Sequence, residues 1–323
     1  MMSKTALYGA LALLLLAAAS GCAHAPEVEA GFNIGRTPDG VEFGVWSPAA
    51  GVPQTQRLGL HEHTVIADAL VDGGPYPLVI MSHGTGGHFS GHADTAAALA
   101  RKGFIVAALT HPGDNWRDQS RATQIEDRVR AFNAFVSYML EQWPQHERID
   151  KDRVGAFGFS AGGFTVLAAA GGRPDLSRIY AHCAEHPDFF DCGLINAQAR
   201  SLADEWPAID GARLKALAVA APALGFTFDR DGLKEVAMPV QLWRADQDEI
   251  LPAPYYADAV REALPLPPEF HHEPLAGHFD FLAPCIDQAA APEICESKFG
   301  LDRDAFHQRF NAEIVRFFEA RLK

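Results

Sequence analysis

A mostly parallel β-sheet covered by helices on both faces is the fold class that three observations in the sequence predict. Short, almost unbroken apolar runs such as Leu78-Val79-Ile80-Met81 are what strands buried on both faces look like. Segments with apolar residues at helical spacing lie between those runs, and such alternation builds a parallel sheet with crossover helices. The length, 323 residues with 48% hydrophobic and 21% charged, suits one large α/β domain or two small ones.

Taken in order, strands are expected at 41–46, 78–81, 104–109, 153–159, 217–221 and 240–243, with a weaker last one at 269–275. The first alternates apolar residues; the next ones are continuous runs. Helices are expected at 93–102, 123–142, 161–170, 255–264 and 305–322. The first ends at Gly103, a C-cap signal, and the third at Gly171-Gly172. The second carries Ile125, Val129, Phe132, Val136 and Met139 at helical period. Residues 173–213 interrupt the alternation and hold Trp206. They read as a cap-like insertion within one domain spanning 41–323, not as a second domain.

The N-terminus reads as an address. Lys4 precedes an apolar run from Ala6 to Ala19, followed by small residues, the layout of a secretory signal over 1–21. The run is shorter than the roughly 20 apolar residues that span a bilayer. Ala19-Ser20-Gly21-Cys22 resembles the bacterial lipoprotein lipobox, with Ala at the position usually held by Leu. That resemblance implies an acylated Cys22, a lipidated tether over 22–40 and stable anchoring by two or more acyl chains. Ala23 stands where Asp would favour retention in the inner membrane, so an outer-membrane anchor facing the periplasm is expected. A soluble exported chain is the alternative.

The net charge of −14, from 27 basic and 41 acidic residues, excludes a nucleic-acid partner, because such a chain repels phosphate backbones. Beyond Cys22 there remain Cys183, Cys192, Cys285 and Cys295. An even count in an oxidising compartment points to disulfides, and four cysteines allow three connectivities. The local pairs Cys183–Cys192 and Cys285–Cys295 each close a short loop, for about 2–3 kcal/mol apiece in the chain-entropy model. A four-cysteine zinc site lacks its usual tight CxxC pairs.

Four pieces carry chemistry. Gly158-Phe159-Ser160-Ala161-Gly162 fits G-x-S-x-G between a strand and a helix, where a nucleophilic serine sits at the apex of a sharp turn. His83-Gly84-Thr85-Gly86-Gly87 follows the 78–81 strand, and its exposed N–H groups make Thr85 and Ala161 candidate oxyanion donors. No Lys follows those glycines, so a P-loop fails. After the 240–243 strand, Asp246, Asp248 and Glu249 compete as the acid of a triad, and Asp248, four residues before Pro252, is preferred. Gly277-His278-Phe279 follows the last strand and supplies the general base. The chain order Ser160, Asp248, His278 is that of the α/β hydrolases, not of the chymotrypsin or subtilisin types.

On these motifs the chain resembles the serine α/β hydrolases of the dienelactone hydrolase and platelet-activating-factor acetylhydrolase-like group, over about residues 41–320. The resemblance implies the α/β-hydrolase fold with a cap-like segment and a Ser160-His278-Asp248 triad. Dienelactone hydrolases proper use a Cys nucleophile where this chain has Ser160. The Gly-Phe-Ser-Ala-Gly-Gly run is also similar to cutinase-like polyester hydrolases. The expected activity is carboxylic ester hydrolysis through an acyl-enzyme, on a small-molecule ester or lipid-like substrate. No metal or organic cofactor is called for, and a monomer is expected. Alternatives are an acyltransferase or peptidase on the same triad, or a non-catalytic envelope lipoprotein. Among other histidines, His83 is expected to bond within the oxyanion loop. His111 is expected either to line the pocket or to order its loop. His61, His63, His88 and His92 lack the third ligand that a metal site needs. His271 and His272 read as structural. Phe89, Trp116 and Phe279 are candidates for an apolar acyl pocket.

Overall fold

The computed structural model describes residues 28–198, 206–209 and 211–323. The expected signal 1–21, Cys22, tether residues 23–27, and residues 199–205 and 210 of the cap lie outside these. Ten strands are described: β1 (Glu29–Arg36), β2 (Glu42–Ala49), β3 (Gln54–Leu58), β4 (His61–Ala67), β5 (Tyr76–Ser82), β6 (Ile105–Leu109), β7 (Ile149–Phe159), β8 (Ala216–Ala220), β9 (Val240–Ala245) and β10 (Glu269–Glu273). They form one sheet in the order β10-β9-β8-β7-β5-β6-β2-β1-β4-β3. From β10 through β6 every pairing is parallel, and β2 and β1 extend the sheet antiparallel. The expected mostly parallel sheet is therefore present, and each expected strand is found with its ends shifted.

The helices are α1 (Ala93–Arg101), α2 (Ile125–Glu141), α3 (Ala161–Ala169), α4 (Arg178–Glu185), α5 (Phe190–Ala197), α6 (Ala257–Ala263), α7 (Pro292–Cys295) and α8 (Arg303–Leu322). Burial divides them between two cores. Leu99, Phe306, Phe310 and Phe318 of α1 and α8 pack with Val79, Val106 and Phe157 on one face of the sheet. Val129, Phe132, Phe164 and Val260 of α2, α3 and α6 pack with Ile80, Ala107 and Leu217 on the other. Alternate residues of each strand go to opposite cores, which is why the strands read as continuous apolar runs.

Three strands lie outside the expected set. The stretch expected as a tether is partly wrong: residues 29–36 are β1, paired with β2 along its whole length. Its alternation is hidden by glycines that the packing requires. A Cβ on Gly35 would stand 2.4 Å from the Phe43 ring, and one on Gly31 would stand 2.7 Å from Ala69. The β3–β4 hairpin escapes because it is an edge: Gln54, Thr55, Glu62 and Thr64 face solvent, and the apolar signal is correspondingly thin. The cap-like stretch 173–213 contains α4 and α5, tied together by the Cys183–Cys192 disulfide. The other pair, Cys285–Cys295, is also bonded. No helix of the described residues is long and apolar enough to cross a membrane.

Candidate active site

The parallel strands deliver their C-terminal ends to one edge of the sheet, where ligands bind in open α/β folds. Ser160 follows β7 directly and adopts φ 54°, ψ −121°. A non-glycine residue at positive φ is strained, and it persists because its surroundings overdetermine it. The flanking glycines do so sterically. A Cβ on Gly158 would lie 2.2 Å from the Gly162 carbonyl oxygen, and one on Gly162 would lie 1.9 Å from that of Ser82. The Ser160 N–H donates to the Ala220 carbonyl at 3.0 Å, and its own carbonyl accepts from Ala223 at 3.0 Å. Ala221 and Leu224, beside these contacts, also have positive φ.

His278 and Asp248 are brought together from the loops after β10 and β9. Nδ1 of His278 is 2.8 Å from Oδ2 of Asp248, with both side chains 3% exposed, so the pair is shielded from water. Oδ1 of Asp248 accepts from the Ile250 and Leu251 N–H groups at 2.9 and 2.7 Å. Its competitors are engaged elsewhere. Asp246 bonds Arg244 and His272, and the half-exposed Glu249 pairs with Lys298. The His278 ring packs on Phe159, the residue before Ser160, with centroids 4.8 Å apart. Arg303 holds this loop from α8. It donates to the Phe279 carbonyl, to Leu282 at 3.1 Å, and to Ile294 and Cys295 at 2.9 Å each, joining the His278 turn to the second disulfide.

Thr85 and Ala161 line the same cavity as Ser160. The Ala161 N–H is the first of α3 and has no acceptor within the helix. The Thr85 loop rests on a buried ion pair, Arg128 with Asp114, both under 3% exposed. Asp114 accepts the Gly86 N–H at 2.8 Å, while Arg128 donates to the His83 carbonyl and, at 3.2 Å, to Thr165. His83 donates from Nδ1 to the Gly84 carbonyl at 2.6 Å and accepts the His111 N–H at Nε2. Burial, then the Arg128 charge, holds its pKa well below the usual imidazole range, so that neutral tautomer is kept. His111 is fully buried with Nε2 2.8 Å from the Ser82 hydroxyl, which makes it a loop-ordering residue and not a lining one. Arg128 and Asp114 are absent from the sequence-predicted set. The available signal was a charged residue on the apolar stripe of α2, between Ile125 and Phe132.

The cavity over Ser160 is walled by the cap: Ile179, Phe190, Asp191, Leu194 and Ile195 face Thr85, Leu224 and Leu251. The expected aromatic pocket is not formed. Phe89 is core, packed against Trp46 at 6.3 Å; Trp116 is 57% exposed under Arg117. Phe279 borders a separate cleft on the His278 side, with Glu249 and Lys298. Ile179, Phe190, Leu194 and Ile195 take the place of those aromatics because the helices of the insertion, not the strand loops, reach over the serine.

Among the described residues, two groups have the composition of metal ligands, and neither fits one well. His182, Asp191 and Cys192 converge, but the Cys192 sulfur is in a disulfide. Glu269, His271 and Glu313 converge, but Arg316 already pairs with both glutamates. Two of the histidines read as poor metal ligands pack within the protein. His63 accepts from the Trp46 indole at 3.1 Å, and His92 is buried against Phe157 and Phe159.

Comparison with known proteins agrees with this architecture. The family model described as serine aminopeptidase, S33 matches residues 73–184, which include the Thr85 loop and Ser160. A candidate esterase, NocK, from Nocardia uniformis subsp. tsuyamanensis is 31% identical over 127 residues, 38% of this chain. The match spans 33% of NocK, so the chain covers about a third of that relative's length. A ferulic acid esterase from Streptomyces cinnamoneus superposes with a TM-score of 0.58 at 15% identity, over 93% of this chain and 91% of that one. The chain has the α/β-hydrolase fold.

Proposed function

We propose that the protein is a serine carboxylic ester hydrolase of the dienelactone hydrolase and platelet-activating-factor acetylhydrolase-like group. The observation that carries this reading is a strained Ser160 at a strand–helix turn, with the ring of the buried His278–Asp248 pair packed on the preceding Phe159. An ionised carboxylate only accepts, so Nδ1 of His278 bears the proton and Nε2 keeps its lone pair. Ser160 Oγ attacks the ester carbonyl as Nε2 takes its proton. The Thr85 and Ala161 N–H groups hold the oxyanion, which is the largest single source of stabilisation in such reactions. The tetrahedral species collapses to an acyl-enzyme as His278 returns the proton to the leaving alcohol. Water, deprotonated by the same nitrogen, then releases the acid. The names of NocK and the Streptomyces enzyme support an ester as substrate. p-Nitrophenyl acetate should be hydrolysed, and Ser160→Ala should lower turnover by about 10⁶-fold, toward the uncatalysed rate. Hydrolysis retained by Ser160→Ala would move the nucleophile elsewhere. A p-nitroanilide cleaved faster than the ester would favour the peptidase reading that the family description suggests.

The reading includes export and a lipid anchor at Cys22, supported by the signal-like 1–21 and its lipobox-like end. Expressed in a bacterium with its own leader, the protein should label with palmitate and enter the detergent phase. Cys22→Ser should abolish both; labelling that survives this change contradicts the anchor.

A further inference from the structure

The cavity over Ser160 is mostly apolar, and among its described lining residues Asp191 is the one carboxylate. Ile125, Ile179, Phe190, Leu194, Ile195 and Leu251 line it together with Asp191. Asp191 is 7% exposed. Its oxygens accept the Tyr256 hydroxyl at 3.0 and 3.1 Å, and Oδ1 accepts the Cys192 N–H at 3.0 Å. All these donors are neutral. The nearby His182, 3.3 Å from the Tyr256 hydroxyl, is pushed down to about 4 by burial and brings no charge. No cationic side chain pairs with Asp191 among the described residues, and burial pushes its carboxyl up. A buried carboxylate without a counter-charge is costly to keep, and the cost is relieved when a cation arrives.

One cleft is lined by Thr85, Ser160 and Ala161 and a second by His278 with Glu249 and Lys298. On the ester hydrolase reading, the acyl chain belongs to the first and the leaving group to the His278 side. We infer that Asp191 is a substrate-recognition residue of the acyl cavity, selecting acyl chains that end in a primary ammonium. The apolar walls take the methylene stem, and the ammonium donates to Asp191 in a charge-assisted hydrogen bond. Tyr256 is a positioning residue that fixes the carboxylate. The acyl assignment rests on the ester hydrolase reading; the ammonium site itself does not.

The test uses the full chain and pairs of esters that differ only in NH₃⁺ against CH₃. These are p-nitrophenyl 6-aminohexanoate against heptanoate, and 8-aminooctanoate against nonanoate. At least one pair should show kcat/KM about 10- to 100-fold higher for the ammonium ester, the span of one charge-assisted bond. Asp191→Asn should bring that ratio near one through loss on the ammonium ester. In parallel, calorimetry on Ser160→Ala should detect n-hexylammonium and not 1-hexanol, and the added Asp191→Asn should abolish the binding. Ratios near one with no amine binding would overturn the proposal and leave the esterase standing. Amine binding without hydrolysis of any ester would keep the Asp191 site and overturn the esterase. Equal loss on both members of a pair in Asp191→Asn would assign the residue to packing and overturn the proposal. If that variant does not fold, the wild-type ratios and amine binding decide alone.

Discussion

Asp248→Asn should cut ester hydrolysis on the order of 10⁴-fold, the loss seen when the acid of a serine triad becomes an amide. The geometry says why. Oδ1 is held by the Ile250 and Leu251 N–H groups, and in the amide the oxygen must stay there to satisfy them. The amide nitrogen is then the atom facing Nδ1 of His278, at the position where Oδ2 now stands 2.8 Å away. Two donors cannot face each other, so His278 switches tautomer and carries its proton on Nε2. A protonated Nε2 has no lone pair for the Ser160 proton. Folding changes little, because the two loop hydrogen bonds survive. Asp246→Asn loses only half-exposed bonds to Arg244 and His272 and should cost less than about tenfold. Rates of p-nitrophenyl acetate hydrolysis with matched thermal unfolding check both variants. The reverse ranking would move the acid to Asp246.

This contrast also marks where the sequence was legible. The nucleophile turn is local: Gly158, Ser160 and Gly162 meet their steric demands within a few residues and with the Ser82 backbone, so a motif captures it. The strands at 78–81 and 240–243 are buried on both faces and show as apolar runs. Asp248 was separable from Asp246 only by loop position, and the structure separates them by what each carboxylate bonds. The rest depends on distant chain. Asp191 meets Tyr256 across 65 residues of sequence, and Arg303 meets the Phe279 carbonyl across 24. No periodicity encodes such meetings. β1 was hidden for a different reason: Gly31 and Gly35 are there to let Ala69 and Phe43 approach, and glycine carries no hydrophobic signal. Phe89 and Trp116 read as pocket candidates, yet one turns into the core and the other to solvent.

Arg128→Met should produce the largest loss of stability, about 3–5 kcal/mol, because it strands Asp114 as an uncompensated charge in the interior. The guanidinium and the carboxylate are 2% and 1% exposed, so water cannot take over either role. For a domain of this size that is a fall in Tm on the order of 10 °C. Asp114→Asn in the same chain removes the stranded charge, so the double variant should recover about 2 kcal/mol or more relative to Arg128→Met alone. Activity should not recover with it. Arg128 also donates to the His83 carbonyl, and Asp114 accepts the Gly86 N–H, so the pair clamps the loop on both sides of Thr85. An oxyanion donor displaced by that loosening costs about 10²–10³-fold in kcat. Measured below the Tm of each variant, the double variant should therefore be more stable than Arg128→Met yet comparably slow, with KM changed much less than kcat. Stability and kcat recovering together would reduce the ion pair to a packing device and leave the placement of Thr85 to the glycines alone.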